Sequence, residues 1–208
     1  MIAIIDYGAG NIQSVYKAMK HIGCDAVVTR DKDVILNADG AILPGVGSFG
    51  DTMDTMEKYG IKDTALEFID SGKPFLGICL GLQLLFPESE ESVGKKGLAV
   101  FDGAITKIPA ENGLKIPHIG WNSLNIIKKD GIFKGIEDNA YVYFVHSYFL
   151  KAANPDIVAA QTHYGVQIDA AVEYKNVIAT QFHPEKSGEV GLKMLKNFAD
   201  IVSGCQEA

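Results

Sequence analysis

The chain has 208 residues, 47% of them hydrophobic, and a net charge of −7. That is enough apolar material for one sizeable α/β core, and with no basic run longer than Lys95-Lys96 or Lys128-Lys129 it lacks the clustered positive footprint of a nucleic-acid-binding surface. No apolar run approaches the roughly 18 residues of a membrane span, the start lacks the basic opening of a secretory signal, and three cysteines (Cys24, Cys79 and Cys205) without C-x-x-C spacing suit a reducing cytoplasm and offer no metal site.

In chain order, Ile2–Ile5 reads as a strand, and Asn11 is placed to cap a helix carrying Ile12, Val15, Tyr16 and Met19 at helical spacing. Strands follow at Ala26–Thr29 and at 41–43, the latter ended by Pro44-Gly45. Helical stretches cover 51–59 and 62–69, and 75–78 is a fourth strand. Strands alternating with helices predict a mostly parallel sheet covered on both faces, with functional loops at the strand C-termini. Residues 7–11, 44–48 and Cys79 all fall there. The polar stretch 87–97 reads as an exposed loop. Beyond it, strands at 98–108, 119–127, 141–149, 157–162 and Val166–Tyr174 predict an antiparallel part, and 188–202 closes the chain as a helix. With no linker or internal repeat, residues 1–208 form one predicted domain.

Two motifs carry chemistry. Gly77-Ile78-Cys79-Leu80-Gly81 is the cysteine version of the G-x-S-x-G nucleophile elbow, between an apolar strand and the helix-like Leu82-Gln83-Leu84-Leu85-Phe86. Such a turn strains the nucleophile's backbone and sets its sulfur near a helix N-terminus, which favours thiolate. Alone, Cys79 also fits a buried thiol in an ordinary turn. Gln181-Phe182-His183-Pro184-Glu185 is the second motif. If 177–182 is a strand, His183 and Glu185 share a face, so the carboxylate can hold one ring nitrogen while the other serves a nucleophile. The N–H of Leu80 is then one oxyanion donor, and the loop Gly45-Val46-Gly47 is the source of a second.

These pieces, with Asp6-Tyr7-Gly8-Ala9-Gly10-Asn11, Pro44-Gly45-Val46-Gly47-Ser48-Phe49, Pro117-His118-Ile119-Gly120-Trp121-Asn122, Phe144-Val145-His146-Ser147-Tyr148 and the continuation Lys186-Ser187, resemble in order the class I (triad) glutamine amidotransferases. In PGVGSF, PHIGWN and HPEKS the resemblance is to the glutaminase subunits of imidazole glycerol phosphate synthases. Leu82 stands where Met is common, a volume-conserving difference. The resemblance implies a flavodoxin-like α/β fold and a catalytic triad of Cys79, His183 and Glu185. It implies glutamine held by Gln83, Ser147 and Tyr148, and no cofactor or metal. It further implies a heterodimer with a (β/α)8-barrel cyclase subunit, with Trp121, Asn122, Tyr143 and Lys186 around the ammonia exit, and weak glutaminase activity until the acceptor site is filled. With that triad complete, His118 and His146 read as loop histidines making structural hydrogen bonds.

Three other readings compete. Gly8-Ala9-Gly10-Asn11-Ile12-Gln13 approaches G-x-G-x-x-G, with Asp31 about twenty residues on, as in a dinucleotide-binding module. That reading leaves Cys79, His183 and Glu185 without a role. A free-standing cysteine hydrolase on the same fold, or a paralogous glutaminase serving another synthase, uses the same residues.

Overall fold

The computed structural model describes residues 1–8, 11–110 and 113–204; Ala9, Gly10 and Cys205 lie outside the described residues. The first half is β1 (Ile2–Ile5), α1 (Ile12–His21), β2 (Ala26–Thr29), α2 (Lys32–Asn37), β3 (Gly40–Gly45), α3 (Phe49–Lys58), α4 (Ile61–Asp70), β4 (Phe75–Cys79) and the single turn α5 (Leu80–Gln83). The second half is β5 (Gly103–Lys107), β6 (His118–Ser123), β7 (Asn125–Ile126), β8 (Tyr141–His146), β9 (Tyr148–Ala152), β10 (Val158–Tyr164), β11 (Val166–Tyr174), β12 (Val177–Thr180) and α6 (Gly188–Ser203).

One eight-stranded sheet runs β2-β1-β3-β4-β12-β11-β10-β7. Its first five strands pair in parallel and the last three antiparallel, as the alternation predicted. β1, β3, β4 and β12 are buried at every residue, because helices cover both faces of a parallel sheet. Alternate side chains feed two cores. Ala3, Ile5, Ala41, Leu43 and Phe75 pack with Met53 and Met56 of α3 and Phe68 of α4. Ile2, Ile4, Ile42, Leu76 and Ile78 pack with Val15 and Met19 of α1 and Leu195 and Phe198 of α6. Two small antiparallel ladders, β5–β9 and β6–β8, flank the carboxyl ends of the central strands.

Several boundaries differ from the sequence pattern, each because the backbone finds a nearer partner. The helix expected after the elbow stops after one turn. The amides of Leu98 and Val100 take the carbonyls of Leu84 and Leu85, each at 2.8 Å, and the same bonds keep 98–102 out of β5. The stretch 141–149 divides at Ser147, pairing with β6 before it and β5 after it. β12 ends at Thr180 rather than running to 182; the Thr180 hydroxyl donates to the Phe182 carbonyl at 3.0 Å and bends the chain. Helix α2 was not anticipated. Asp31 caps it by accepting from the Val34 amide at 3.1 Å, so the acid that a dinucleotide site would place on a ribose has a local structural role. Asn11 precedes α1 in the left-handed region (φ 66°) and gives it no side-chain cap, contrary to its expected role. Among the described residues, no helix is long and apolar enough to cross a membrane.

Close approach rather than turn geometry explains one glycine. A Cβ on Gly81 would stand 2.0 Å from the Leu43 carbonyl oxygen, so α5 can lie against β3 only without a side chain there. Gly81→Ala is expected to lower stability by about 1–3 kcal/mol through overpacking. Urea unfolding reads this directly, and a change below about 0.5 kcal/mol, the range of a surface substitution, would mean that β3 yields freely.

Candidate active site

The elbow cysteine sits at φ 56°, ψ −106°, a conformation that a non-glycine residue holds only when its surroundings over-determine it. Those surroundings are the strands on either side of β4. Gly45 of β3 is level with Cys79, and Thr180 of β12 with Ile78. The flanking glycines make room for the turn. A Cβ on Gly77 would meet the Gly81 carbonyl oxygen at 2.7 Å, and one on Gly45 would meet the Leu80 Cβ at 2.7 Å and the Tyr7 hydroxyl at 3.0 Å. The bend leaves the Cys79 sulfur largely buried beside a cavity of about 290 Å³, near the small end of small-molecule sites. Val46, Gly47, Leu80, Gln83, Ser147, Tyr148 and His183 line the same cavity, so most residues singled out in the sequence converge there.

His183 and Glu185 meet, though not by strand alternation. β12 has ended, and Pro184–Lys186 forms a short 3-10 turn that brings His183 Nδ1 to Glu185 Oε1 at 2.8 Å. That turn is pinned at both ends. The His183 amide donates to the Tyr143 carbonyl at 2.9 Å, and the Ser187 hydroxyl donates to the His183 carbonyl at 2.6 Å. Both side chains are essentially excluded from solvent, and His183 Nε2 is buried with no hydrogen bond of its own.

Two partners of this machinery were not assigned to it from the sequence. Asn11 donates from Nδ2 to Glu185 Oε1 at 2.5 Å, so the side chain expected to cap α1 instead orients the carboxylate. Gln181 donates from Nε2 toward the Cys79 sulfur at 3.7 Å, while its Oε1 accepts from Gln83 Nε2 at 2.9 Å. Asn11 lay inside a motif that was quoted, but a residue before a helix carries a strong capping signal that hid the long-range role. Glu91 also lines the cavity, although it belongs to the stretch read as an exposed loop; it accepts from the Phe49 amide at 2.7 Å and ties that loop to the start of α3.

The charges follow from these contacts. Burial pulls the His183 pKa down, but the Cys79 sulfur and the Glu185 carboxylate together outweigh it and raise the pKa from 6.5 to about 9. The ring is therefore an imidazolium at neutral pH. A pKa raised on folding contributes stability fully below about pH 6.5, and the contribution is lost as pH rises through about 9. His118 and His146, expected in loops, lie instead on β6 and β8 and are directly paired in register. Burial, with no carboxylate to offset it, lowers them to about 4 and about 3.

The interface residues behave as two groups. On the β6–β8 ladder Ile119, Trp121 and Tyr141 face outward and are more than half exposed, while His118, Val142, Phe144 and His146 face inward. Trp121 packs edge-on against Tyr143 at 6.0 Å, and Lys186 Nζ lies over the Tyr143 ring at 6.0 Å. Asn122 is not brought together with them; it lies on the inner face of the ladder and donates to the His163 carbonyl at 3.0 Å.

A strained cysteine, a His–Glu pair and a small cavity at the carboxyl ends of parallel strands fit covalent acyl transfer. The family model for class-I glutamine amidotransferases matches residues 3–202. The chain belongs to this family. It is 52% identical over 202 residues to a protein of Methanothermobacter thermautotrophicus named imidazole glycerol phosphate synthase subunit HisH, covering 97% of this chain and 99% of the relative. It is 50% identical to a protein of the same name from Caldanaerobacter subterraneus, covering 97% and 98%. The structure of PurLQS from Thermotoga maritima contains a chain that superposes with a TM-score of 0.72 at 22% identity, covering 95% of this chain and 96% of that one, and so shares the fold.

The amidotransferase site yields a signed pH prediction. Glutamine turnover should fall on the alkaline side with an apparent pKa near 9, as His183 loses its proton. Glu185→Gln removes one of the two groups that raise this pKa and should move the limb to lower pH. A kcat/KM profile for both proteins checks it, and a limb that stays in place in the variant would disconnect Glu185 from His183.

Proposed function

We propose that this chain is the glutaminase subunit of an imidazole glycerol phosphate synthase, a single domain over 1–208 acting in histidine biosynthesis. The observation that carries the reading is that Cys79 and His183 line one cavity of about 290 Å³ while Glu185, buried, holds His183 Nδ1 at 2.8 Å. The relatives' shared name supplies the synthase.

Cys79, as thiolate, attacks the side-chain amide carbon of glutamine. A carbon–sulfur bond forms and the carbonyl π electrons move to oxygen. The Leu80 amide, first in α5 and without an intrahelical partner, donates to that oxyanion, and the Gly45-Val46-Gly47 loop supplies a second N–H. Collapse of the intermediate expels ammonia, which takes its proton from His183. The sulfur is then acylated and no longer holds the imidazolium, so one of the two influences that raise the His183 pKa is gone. The neutral ring can now take a proton from water, whose oxygen attacks the thioester to release glutamate. Glu185, held by Asn11, keeps the ring oriented through both half-reactions. Gln83, Ser147 and Tyr148 form the wall that holds the rest of glutamine.

Ammonia leaves toward a cyclase subunit with a (β/α)8 barrel, which converts a phosphoribulosyl-formimino-aminoimidazole-carboxamide nucleotide to imidazole glycerol phosphate and an aminoimidazole carboxamide ribotide. The exposed Ile119, Trp121 and Tyr141, with Tyr143 against Trp121 and Lys186 over the Tyr143 ring, suit that contact, since interface cores are rich in aromatic side chains. Gly47, at φ 114° with open space around it, lets the neighbouring peptide turn its N–H toward or away from the oxyanion at low steric cost. Filling the acceptor site raises turnover to the extent that it binds the hole-formed state more tightly.

Two experiments test the proposal. Cys79→Ala should abolish glutamine hydrolysis with the fold intact, while its complex with the cyclase continues to work on free ammonia. Unimpaired hydrolysis by the folded variant would end the triad reading. Glutamate release should also rise from isolated chain to complex to complex with an acceptor analogue; three equal rates would instead favour a free-standing hydrolase.

A further inference from the structure

The inner face of the β6–β8 ladder holds a buried chain of polar groups outside the triad. His118 is 2% exposed and His146 6%. His118 is stacked between Tyr164 at 3.9 Å and Phe144 at 4.7 Å, so its ring plane is fixed. Asn122 Nδ2 lies 3.4 Å from His118 Nε2, His118 Nδ1 lies 3.1 Å from His146 Nε2, and His146 Nδ1 lies 2.9 Å from the Tyr148 carbonyl oxygen. The same oxygen accepts from Gln83 Nε2 at 3.0 Å, and Gln83 continues through Gln181 to the Cys79 sulfur.

Donor and acceptor roles in this chain admit one assignment. A carbonyl oxygen can only accept, so His146 Nδ1 carries a proton. A neutral ring then has a lone pair on Nε2, which must accept from His118 Nδ1–H. His118 Nε2 is left as an acceptor, and Asn122 meets it with an N–H, its Oδ1 already accepting from the Ser123 amide at 2.9 Å. Every bond points the same way, from β6 toward the Tyr148 carbonyl. A proton added to His146 would place two donors face to face between the two rings, and one added to His118 would do the same between its Nε2 and the Asn122 N–H.

We propose that His118 and His146 are positioning residues for glutamine: a one-way relay that fixes the Tyr148 carbonyl and Gln83, and with them the wall of the cavity beside Cys79. The inference rests on the glutaminase reading. It gives the two histidines a role that neither the triad nor simple packing assigns them. The Ser147 carbonyl is held independently by the Ile108 amide at 2.9 Å, so the segment that lines the cavity is anchored at successive peptides and cannot swing as a loop.

The test uses the chain in its complex with the cyclase. Nitrogen-15 spectra of the histidine rings in the wild type at pH 7 should show both His118 and His146 neutral and protonated on Nδ1, the minor form of free histidine. Either ring as the Nε2–H form, or as a cation, overturns the relay. His118→Phe keeps the stacking and removes both nitrogens; its KM for glutamine should rise about tenfold, the scale of one buried hydrogen bond, with a smaller fall in kcat. His118→Asn loses the stacking but returns a donor near the Nδ1 position, and should recover most of that loss. An unchanged KM in His118→Phe, or no recovery in His118→Asn, would reduce the pair to packing. A wild-type complex that failed to hydrolyse glutamine would instead remove the glutaminase reading, while the ring spectra would still decide the relay.

Discussion

Cys79 occupies a backbone conformation that costs on the order of 1–3 kcal/mol when a non-glycine residue holds it, and the neighbouring elements are arranged to maintain it. β4 lies between β3 and β12, so neither edge of the strand can relax sideways. Gly45, Gly77 and Gly81 let three backbones close around the bend at distances where a Cβ would clash. A sheet assembled this way offsets the strain with burial, since β3 and β4 expose none of their residues. In return Cys79 and Leu80 line the cavity where β4 turns into α5. On the proposed mechanism, nucleophile and oxyanion donor are thus one feature of the backbone rather than two side chains brought into line.

The two buried histidines near the cavity show how fully surroundings decide protonation. His183 and His146 come from similar strand ends, yet one is pushed up to about 9 and the other down to about 3. Glu185 and the sulfur make the difference, because His146 has only a backbone carbonyl and a second imidazole as partners. The same ladder joins the cavity to the exterior. The Tyr143 carbonyl accepts from the His183 amide and the Tyr143 amide donates to the Ser187 hydroxyl, while the ring lies outside with Trp121 and Lys186. The outer face and the turn that carries His183 are thus joined through one residue of β8.

The alternation of apolar strands and amphipathic helices made the parallel half legible, and the strand ends where chemistry collects came with it. Cys79, His183 and Glu185 could be read because glycine spacing and a His-x-Glu pattern have few other uses together. Features set by distant partners could not be read. The early end of α5 depends on Leu98 and Val100 claiming the carbonyls of Leu84 and Leu85, just past its last residue. The break at Ser147 depends on two different ladders. Asn11 carried a local capping signal that its contact with Glu185 overrides. His118 and His146 read as loop histidines because the triad was complete without them, and only the β6–β8 register brings them face to face.

β12 is the last strand in the chain and one of the innermost in the sheet, filling the gap between β4 and β11. A ribosome thus delivers Cys79 roughly a hundred residues before His183 and Glu185. Until β12 is inserted, the sheet is open at its middle, and the Asn11 side chain near the N-terminus has no Glu185 to hold. On the proposed mechanism, a nascent or truncated chain that lacks β12 also lacks the imidazole and carboxylate that the reaction needs, so the last strand to be made is the one that completes both the sheet and the site.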